Sequence, residues 1–330
     1  MINVAIAGGT GYTAGELLRL LQNHPAVRIV SVISSSNAGA EISSVHRELL
    51  GETTLKFSDQ AEFCKVRGDV DVLFLCLGHG LSRKFLDEAC VPESCRIIDL
   101  GNDFRNDSVY NGEYFIYGLS ELYREKIRDA RLIANPGCFA TSIILGAAPL
   151  ASAGDFSDEL HIHAVTGSTG AGRSLSESGH FSYRDSNISV YKPFTHQHLA
   201  EIKNTLREQS SGQSPQINFI PLRGDFTRGI FASIYTKNGA KREIEEIAGL
   251  YKTFYKESPF VFISDSPLSL KEVVNTNKAL IHLEKHNGYI HITTVIDNLL
   301  KGASGQALQN MNLMMGFEEN CGLRLKGSAF

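Results

Sequence analysis

Cys138 stands in the run Asn135-Pro136-Gly137-Cys138-Phe139-Ala140-Thr141, between a short apolar segment and a longer apolar stretch of helical character. A cysteine near a helix start meets the positive end of the helix dipole and unsatisfied backbone N–H groups, which favour the nucleophilic thiolate. Gly137 lets the backbone turn sharply and leaves space for a substrate. A thiolate that carries an acyl group for reduction needs a proton carrier and a hydride source. His196-Gln197-His198-Leu199-Ala200-Glu201-Ile202 offers the first. If Thr195 caps the helix that follows, His198 and Glu201 share one face at i, i+3 spacing, where the carboxylate can orient the imidazole and tune it.

The second is offered by Gly8-Gly9-Thr10-Gly11-Tyr12-Thr13-Ala14-Gly15, which follows the apolar run Ile2–Ala7. Gly9-x-Gly11-x-x-Ala14 fits the dinucleotide fingerprint between a strand and a helix, so Gly8, Gly9, Thr10, Gly11, Tyr12, Thr13 and Ala14 are candidate cofactor contacts. Glycine brings backbone N–H groups close to a pyrophosphate, and the helix start adds a favourable field. The next apolar run ends in Ser34-Ser35-Ser36-Asn37, with no acid before Glu41. Hydroxyls at Ser34 and Ser36 suit a 2′-phosphate better than a carboxylate would, which points to NADP although no arginine stands beside them.

Two His-x-His pairs, at His161/His163 and His196/His198, invite a metal reading, but neither has cysteine or carboxylate partners at ligand spacing, so no metal is expected. The formal net charge of −4 provides no basic surplus for nucleic acid or an anionic membrane. No uninterrupted apolar run reaches membrane-spanning length and no leader pattern precedes Ile2, so a cytoplasmic protein acting on a small molecule is expected. Six scattered cysteines without a paired spacing are expected to be reduced thiols.

The elements that must position these residues fall into two patterns. Ile2–Ala7, Arg28–Ser34, Val72–Cys76, Arg96–Leu100 and Arg131–Ala134 are short and apolar, as parallel strands buried on both faces should be, and helical stretches at Ala14–Gln22 and Leu81–Cys90 alternate with them. After Cys138 comes a buried-helix pattern, Ala140–Leu150. The longer strand-like runs Glu159–Val165, Gln216–Pro221, Gly229–Thr236, Ala279–His286 and Tyr289–Val295 follow, with helices at His198–Gln209 and Glu243–Tyr255. Asn287-Gly288 predicts a hairpin, Ser210–Pro215 a loop, Lys301-Gly302 a turn and Ser304–Met315 a last helix.

With these residues in view, the chain resembles the N-acetyl-gamma-glutamyl-phosphate reductases, relatives of aspartate-semialdehyde dehydrogenase. The markers are Gly8-Gly-Thr-Gly-Tyr-Thr-Ala-Gly-Glu-Leu17, Asp99-Leu-Gly-Asn-Asp-Phe-Arg105, Tyr117-Gly-Leu-Ser-Glu-Leu122, Asn135-Pro-Gly-Cys-Phe-Ala-Thr141, Gly170-Ala-Gly-Arg173, His196-Gln-His-Leu-Ala-Glu-Ile202 and Thr227-Arg-Gly-Ile230. The resemblance implies NADPH-dependent reduction of an N-acyl-L-glutamyl 5-phosphate, N-acetyl or N-succinyl, to the 5-semialdehyde and phosphate in arginine biosynthesis. It implies Cys138 as nucleophile, His198 as acid/base with Glu201 behind it, and His196 as a substrate contact. Arg105 and Arg173 become candidate anion holders, and Gly170, Asn298 and Gly302 join the cofactor candidates. The chain departs from the family pattern at Gln197, where arginine is usual, and at Ala200, where proline is usual. The expected protein is α/β, with a Rossmann-type parallel sheet domain (1–137 and 302–330) and an α+β domain with a mainly antiparallel sheet (138–301), assembled as a homodimer or homotetramer. The alternatives are an aspartate-semialdehyde dehydrogenase and a non-catalytic NADP-binding redox sensor.

Overall fold

The computed structural model describes residues 1–156, 159–212 and 215–328, so Gln213 and Ser214 of the expected Ser210–Pro215 loop lie outside the described residues. The chain forms two compact units: Met1–Pro136 with Ala303–Arg324, and Gly137–Gly302 with the tail from Leu325. The sequence placed Gly137 and all of 302–330 with the first unit; Gly137, Gly302 and the tail fall with the second. The tail is held there by backbone and side-chain bonds, Ser328 N–H to Val274 O at 3.1 Å and Asn275 Nδ2 to Ser328 Oγ at 2.7 Å.

In the first unit, β1 (Ile2–Ala7), β2 (Val27–Ile33), β3 (Val72–Leu75) and β4 (Arg96–Asp99) precede a small hairpin of β5 (Val109–Tyr110) and β6 (Glu113–Tyr114). The short β7 (Ile116–Tyr117) and β8 (Leu132–Ala134) complete the set. The main sheet has the order β2-β1-β3-β4-β8-β7, every pair parallel. The sequence reading missed the hairpin and β7, whose two-residue lengths carry no periodicity. Val4–Ala7 and Val72–Leu75 are fully buried, as apolar runs covered on both faces must be. Helices α1 (Tyr12–Leu21), α2 (Gln60–Val66), α3 (Ser82–Ala89) and α4 (Ser120–Arg128) connect the strands; α1 turns Ala14, Leu17, Leu18 and Leu21 inward. Because β2 and β3 pair on opposite sides of β1, the carboxyl ends of β1 and β3 open a switch-point crevice, the usual ligand position of such sheets.

The second unit begins with α5 (Cys138–Ser152) and continues through β9 (Glu159–Thr166), α6 (Phe181–Arg184), β10 (Ser189–Val190), α7 (Leu199–Gln209), β11 (Gln216–Arg223), β12 (Ile230–Lys237) and α8 (Ile244–Phe254). It ends with β13 (Val261–Ser264), β14 (Ala279–His286) and β15 (Tyr289–Ile296). Its sheet has the order β10-β11-β9-β12-β15-β14-β13. Most neighbours are antiparallel, yet β9–β11 and β13–β14 run parallel, so the sheet is mixed. A parallel pair needs a long crossover, and the one from β9 to β11 carries His196, His198 and Glu201. Asn287 and Gly288 both take positive φ (49° and 79°), as a two-residue hairpin turn of type I′ requires.

Helix α5 is the apolar centre of this unit and packs against β12, β14, β15, α7 and α8. Pro149 within it has no N–H for the carbonyl of Leu145, and Tyr255 Oη donates to that oxygen at 2.6 Å instead. Tyr251 Oη donates to Gly146 O, also at 2.6 Å. Gly146 itself is required by close helix–sheet approach, since a Cβ there would stand 2.7 Å from Thr294 Cγ2.

The last helix, α9 (Gly305–Met314), belongs to the first unit and is wholly buried despite four polar side chains. Each is matched: Gln306 donates to Ser120 Oγ, Gln309 to Glu121, Asn310 to Gly118 O and Asn135 Oδ1, and Asn312 meets His24. In place of the expected Lys301-Gly302 turn, a wide π-type turn spans Leu300–Ser304. Among the described residues, no helix is long and apolar enough to cross a membrane.

Candidate active site

Gly137 is the N-cap of α5 in extended conformation, and half-buried Cys138 is the first helical residue. The glycine faces the crossover residues at close range. A Cβ on it would lie 2.4 Å from His198 Nε2 and 2.6 Å from Glu201 Oε1. Glu201 Oε2 accepts the Gly137 N–H at 3.0 Å, so the carboxylate also satisfies one of the orphan donors of the helix start. From the other side Gly302 closes on the nucleophile, where a Cβ would stand 2.8 Å from Cys138 Cβ. Two glycines thus allow Cys138 to sit between His198/Glu201 and the Asp297–Gly302 turn.

His198 and Glu201 are 5% and 2% exposed, and their nearest charged atoms, Nε2 and Oε1, are 3.8 Å apart. The carboxylate therefore approaches the same ring nitrogen that faces Gly137, beside the imidazole and not behind it. Helix α7 starts at Leu199, with His198 as N-cap and no side-chain cap from Thr195. The reason is local: the His198 N–H that a cap would serve is accepted by His196 Nδ1 at 3.1 Å. The two imidazoles stand edge to face at 4.6 Å, and Phe139, Tyr191 and Phe219 enclose His196 further. Burial, followed by the charges of Lys192 and Arg223, pushes His196 down to about 4. It is therefore neutral at physiological pH, and with Nδ1 accepting, its proton is on Nε2, free to donate. Tyr191 is pushed up by burial and by the proximity of Cys138, against the opposing charge of Arg223.

The glycine turn of the first unit divides its labour. Gly8 adopts φ 82°, and a Cβ there would strike Cys76 O at 2.4 Å; Gly9 is closed by Val32 at 2.5 Å. Gly11, the N-cap of α1, meets nothing nearer than 3.8 Å, which leaves its face accessible to a phosphate group. Thr10, Thr13 and exposed Tyr12 flank it, and Ala14 is buried in the helix face. Ser34 and Ser36 follow β2 with their hydroxyls 3.4 Å apart. The sequence reading missed His46, whose Nε2 bonds Gly9 O at 2.7 Å while its ring packs where a Cβ of Gly15 would be. A glycine inside an otherwise apolar helix was the available signal.

The other candidates make contacts of their own. Arg105, in the first unit, donates to Asn135 O at 2.8 Å and Leu100 O at 3.0 Å, joining the carboxyl ends of β4 and β8. Arg173 and Gly170 are exposed in the segment after β9. Asn298 accepts the Gly229 N–H at 2.6 Å and donates to Thr169 Oγ1 at 3.0 Å, holding the Gly170 turn. The His161 ring stacks on Tyr235 at 4.7 Å and pairs with Glu159 at 3.1 Å. No group of three or more His, Cys, Asp or Glu able to hold a metal occurs among the described residues.

Comparison with known proteins agrees with this division. Residues 3–130 match the family model described as semialdehyde dehydrogenase, NAD binding domain, and residues 138–298 that of its dimerisation domain. An N-acetyl-gamma-glutamyl-phosphate reductase of Christiangramia forsetii is 50% identical and one of Phocaeicola vulgatus 52% identical, each over the whole of both chains. In fold, an aspartate semialdehyde dehydrogenase II of Vibrio cholerae superposes with a TM-score of 0.74 over 96% of this chain and 99% of its own, at 18% identity. The protein is accordingly an enzyme with a nicotinamide-binding domain. With a thiol at a helix start, a buried His–Glu pair against it and full-length identity of this order, the chain belongs to the N-acetyl-gamma-glutamyl-phosphate reductase family.

Proposed function

We propose that this enzyme reduces an N-acyl-L-glutamyl 5-phosphate to the 5-semialdehyde, with release of phosphate, through a thioester on Cys138. The observation that carries the reading is the packing of His198 Nε2 and Glu201 against Gly137, one residue from the thiol. His198 takes the proton of Cys138, and the thiolate attacks the acyl carbon. The carbon–oxygen bond to the phosphoryl group breaks, and His198 returns the proton to the departing phosphate oxygen. The carbonyl oxygen, negative in the tetrahedral states, is stabilised by N–H groups at the start of α5. After reduction the carbon–sulfur bond breaks and leaves the aldehyde and the Cys138 thiolate. Glu201, buried and held by the Gly137 N–H, lies 3.8 Å from His198 Nε2, close to where the imidazole takes up the proton.

The residues of the first unit fit an NADPH cofactor: Gly8–Ala14 for the pyrophosphate, and the Ser34 and Ser36 hydroxyls for the 2′-phosphate. NADPH supplies the hydride that reduces the thioester carbon. Residues 138–298 match a dimerisation domain, which supports a homo-oligomer. Cys138→Ser tests the reading. NADPH binding, followed by cofactor fluorescence, should be retained while acyl-phosphate reduction is lost; undiminished reduction in that variant would refute the thioester.

A further inference from the structure

Two arginines of the second unit have no part in the scheme above. Arg184 closes the short helix α6 and is only 7% exposed. Its Nη2 donates to Ser189 Oγ at 3.2 Å, but its buried Nε and Nη1 meet no acceptor among the described residues. Arg223 ends β11 with its guanidinium over the Tyr191 ring at 4.7 Å, and its Nε is likewise buried without an acceptor among the described residues.

The two share a place. Ser189, which holds Arg184, lies directly opposite Arg223 in the β10–β11 register, and opposed residues project to the same face. Tyr191, two residues beyond Ser189, continues that face. Its ring packs on His196 at 5.7 Å, and His196 on His198 at 4.6 Å. The arginine pair is therefore continuous with the thiol site, separated from His198 by Tyr191 and His196. Buried guanidinium N–H groups with no acceptor and no ion-pair partner among the described residues are costly, and an anionic ligand would offset that cost. The planar fork of arginine matches carboxylate and phosphate oxygens.

We propose that Arg184 and Arg223, with Ser189 between them, form an oxyanion site that receives an anionic group of the substrate. The proposal rests on the reaction assigned above. The group is the phosphoryl oxygens, the glutamyl α-carboxylate, or the terminal carboxylate that an N-succinyl substrate carries and an N-acetyl substrate lacks. In the reverse direction these are separable, because phosphate and semialdehyde are separate reactants.

The experiment is the phosphate-dependent oxidation of N-acetyl- and N-succinyl-glutamate 5-semialdehyde by NADP with the wild type, Arg184→Met and Arg223→Met, together with thermal unfolding of each protein without ligands. A KM raised tenfold or more for inorganic phosphate alone assigns the phosphoryl group. The same rise for both semialdehydes assigns the α-carboxylate, and for the succinyl compound alone the acyl carboxylate. Removing an unpaired buried charge should leave the melting temperature of the ligand-free protein unchanged or higher. Unchanged KM values for all three reactants overturn the proposal, as does a lowered melting temperature with unchanged KM, the result of a structural arginine. If Arg184→Met does not fold, Arg184→Lys gives the same KM test, because it keeps the charge and loses the fork. A wild type that oxidises neither semialdehyde would refute the reaction itself; an active wild type with unaffected variants refutes only the oxyanion site.

Discussion

Gly137→Ala isolates the geometry on which the mechanism depends. The backbone at this position (φ −70°, ψ 148°) suits any residue, so the substitution acts through space alone. The new Cβ would stand 2.4 Å from His198 Nε2 and 2.6 Å from both His198 Cε1 and Glu201 Oε1, where ordinary contact begins at 3.4 Å. Neither neighbour can swing aside, because both are buried and Glu201 is tied to the Gly137 N–H at 3.0 Å. Relief therefore requires the imidazole, the carboxylate or the Cys138 backbone to shift by about 1 Å, a misplacement that lowers rates by about 10²-fold. That corresponds to about 2.7 kcal/mol of transition-state stabilisation. Overpacking of this kind reduces stability by about 1–3 kcal/mol, which leaves the protein folded. Steady-state assays of semialdehyde oxidation should show the loss in kcat, while alkylation by iodoacetamide shows that Cys138 is still accessible. A kcat within twofold of wild type would refute the claim that the glycine fixes the His198–Cys138 relation.

The histidine beside the site makes a prediction about pH. His196 is held at about 4 in the folded state, against about 6.5 in the unfolded chain. Between those values the unfolded chain binds the extra proton, so the contribution is complete above about pH 6.5 and is lost as pH falls towards 4, by about 3 kcal/mol at most. Urea midpoints followed from pH 7.5 to 4.5 should fall less steeply for His196→Gln than for the wild type, and equal slopes would refute the assignment. Asp297, fully buried, accepts two bonds from Arg228 and the backbone N–H groups of Asn275, Leu299 and Leu300. Asp297→Asn should lose about 3–5 kcal/mol in chemical denaturation, because a neutral amide neither balances the guanidinium charge nor accepts all five N–H bonds; a change below 1 kcal/mol would show that the pair is dispensable. Ser34→Asp should raise the KM for NADPH at least tenfold while improving NADH, and an unchanged cofactor preference would exclude the Ser34 loop from 2′-phosphate recognition.

What was legible in the sequence was whatever local spacing encodes. The glycine turn stands at the end of the first strand, Cys138 at the start of an apolar helix, and His198 and Glu201 three residues apart at the start of α7. Each could be read because its neighbours in sequence are also its neighbours in space. The boundaries of long strands and the Asn287-Gly288 hairpin follow for the same reason.

The rest depends on pairs distant in sequence whose chemistry no local pattern displays. His46 supports Gly9 across 37 residues from an irregular segment without periodicity. Gln306, Gln309, Asn310 and Asn312 would make α9 an exposed helix on polarity alone, and it is buried because each amide finds a fixed partner, among them Asn135 three residues before the nucleophile. The mixed character of the second sheet follows likewise from the β9–β11 pairing, which becomes parallel only because some fifty residues of crossover (167–215) intervene. That crossover carries both the acid/base pair and Arg184, and it lays Ser189 opposite Arg223. The acid/base pair has a spacing that can be read. Arg184 and Arg223 are brought together through β10, a two-residue strand that the sequence does not display, and in the sequence each is an ordinary charged residue. Only their buried Nε atoms, without an acceptor among the described residues, set them apart, and that belongs to the fold and not to any motif.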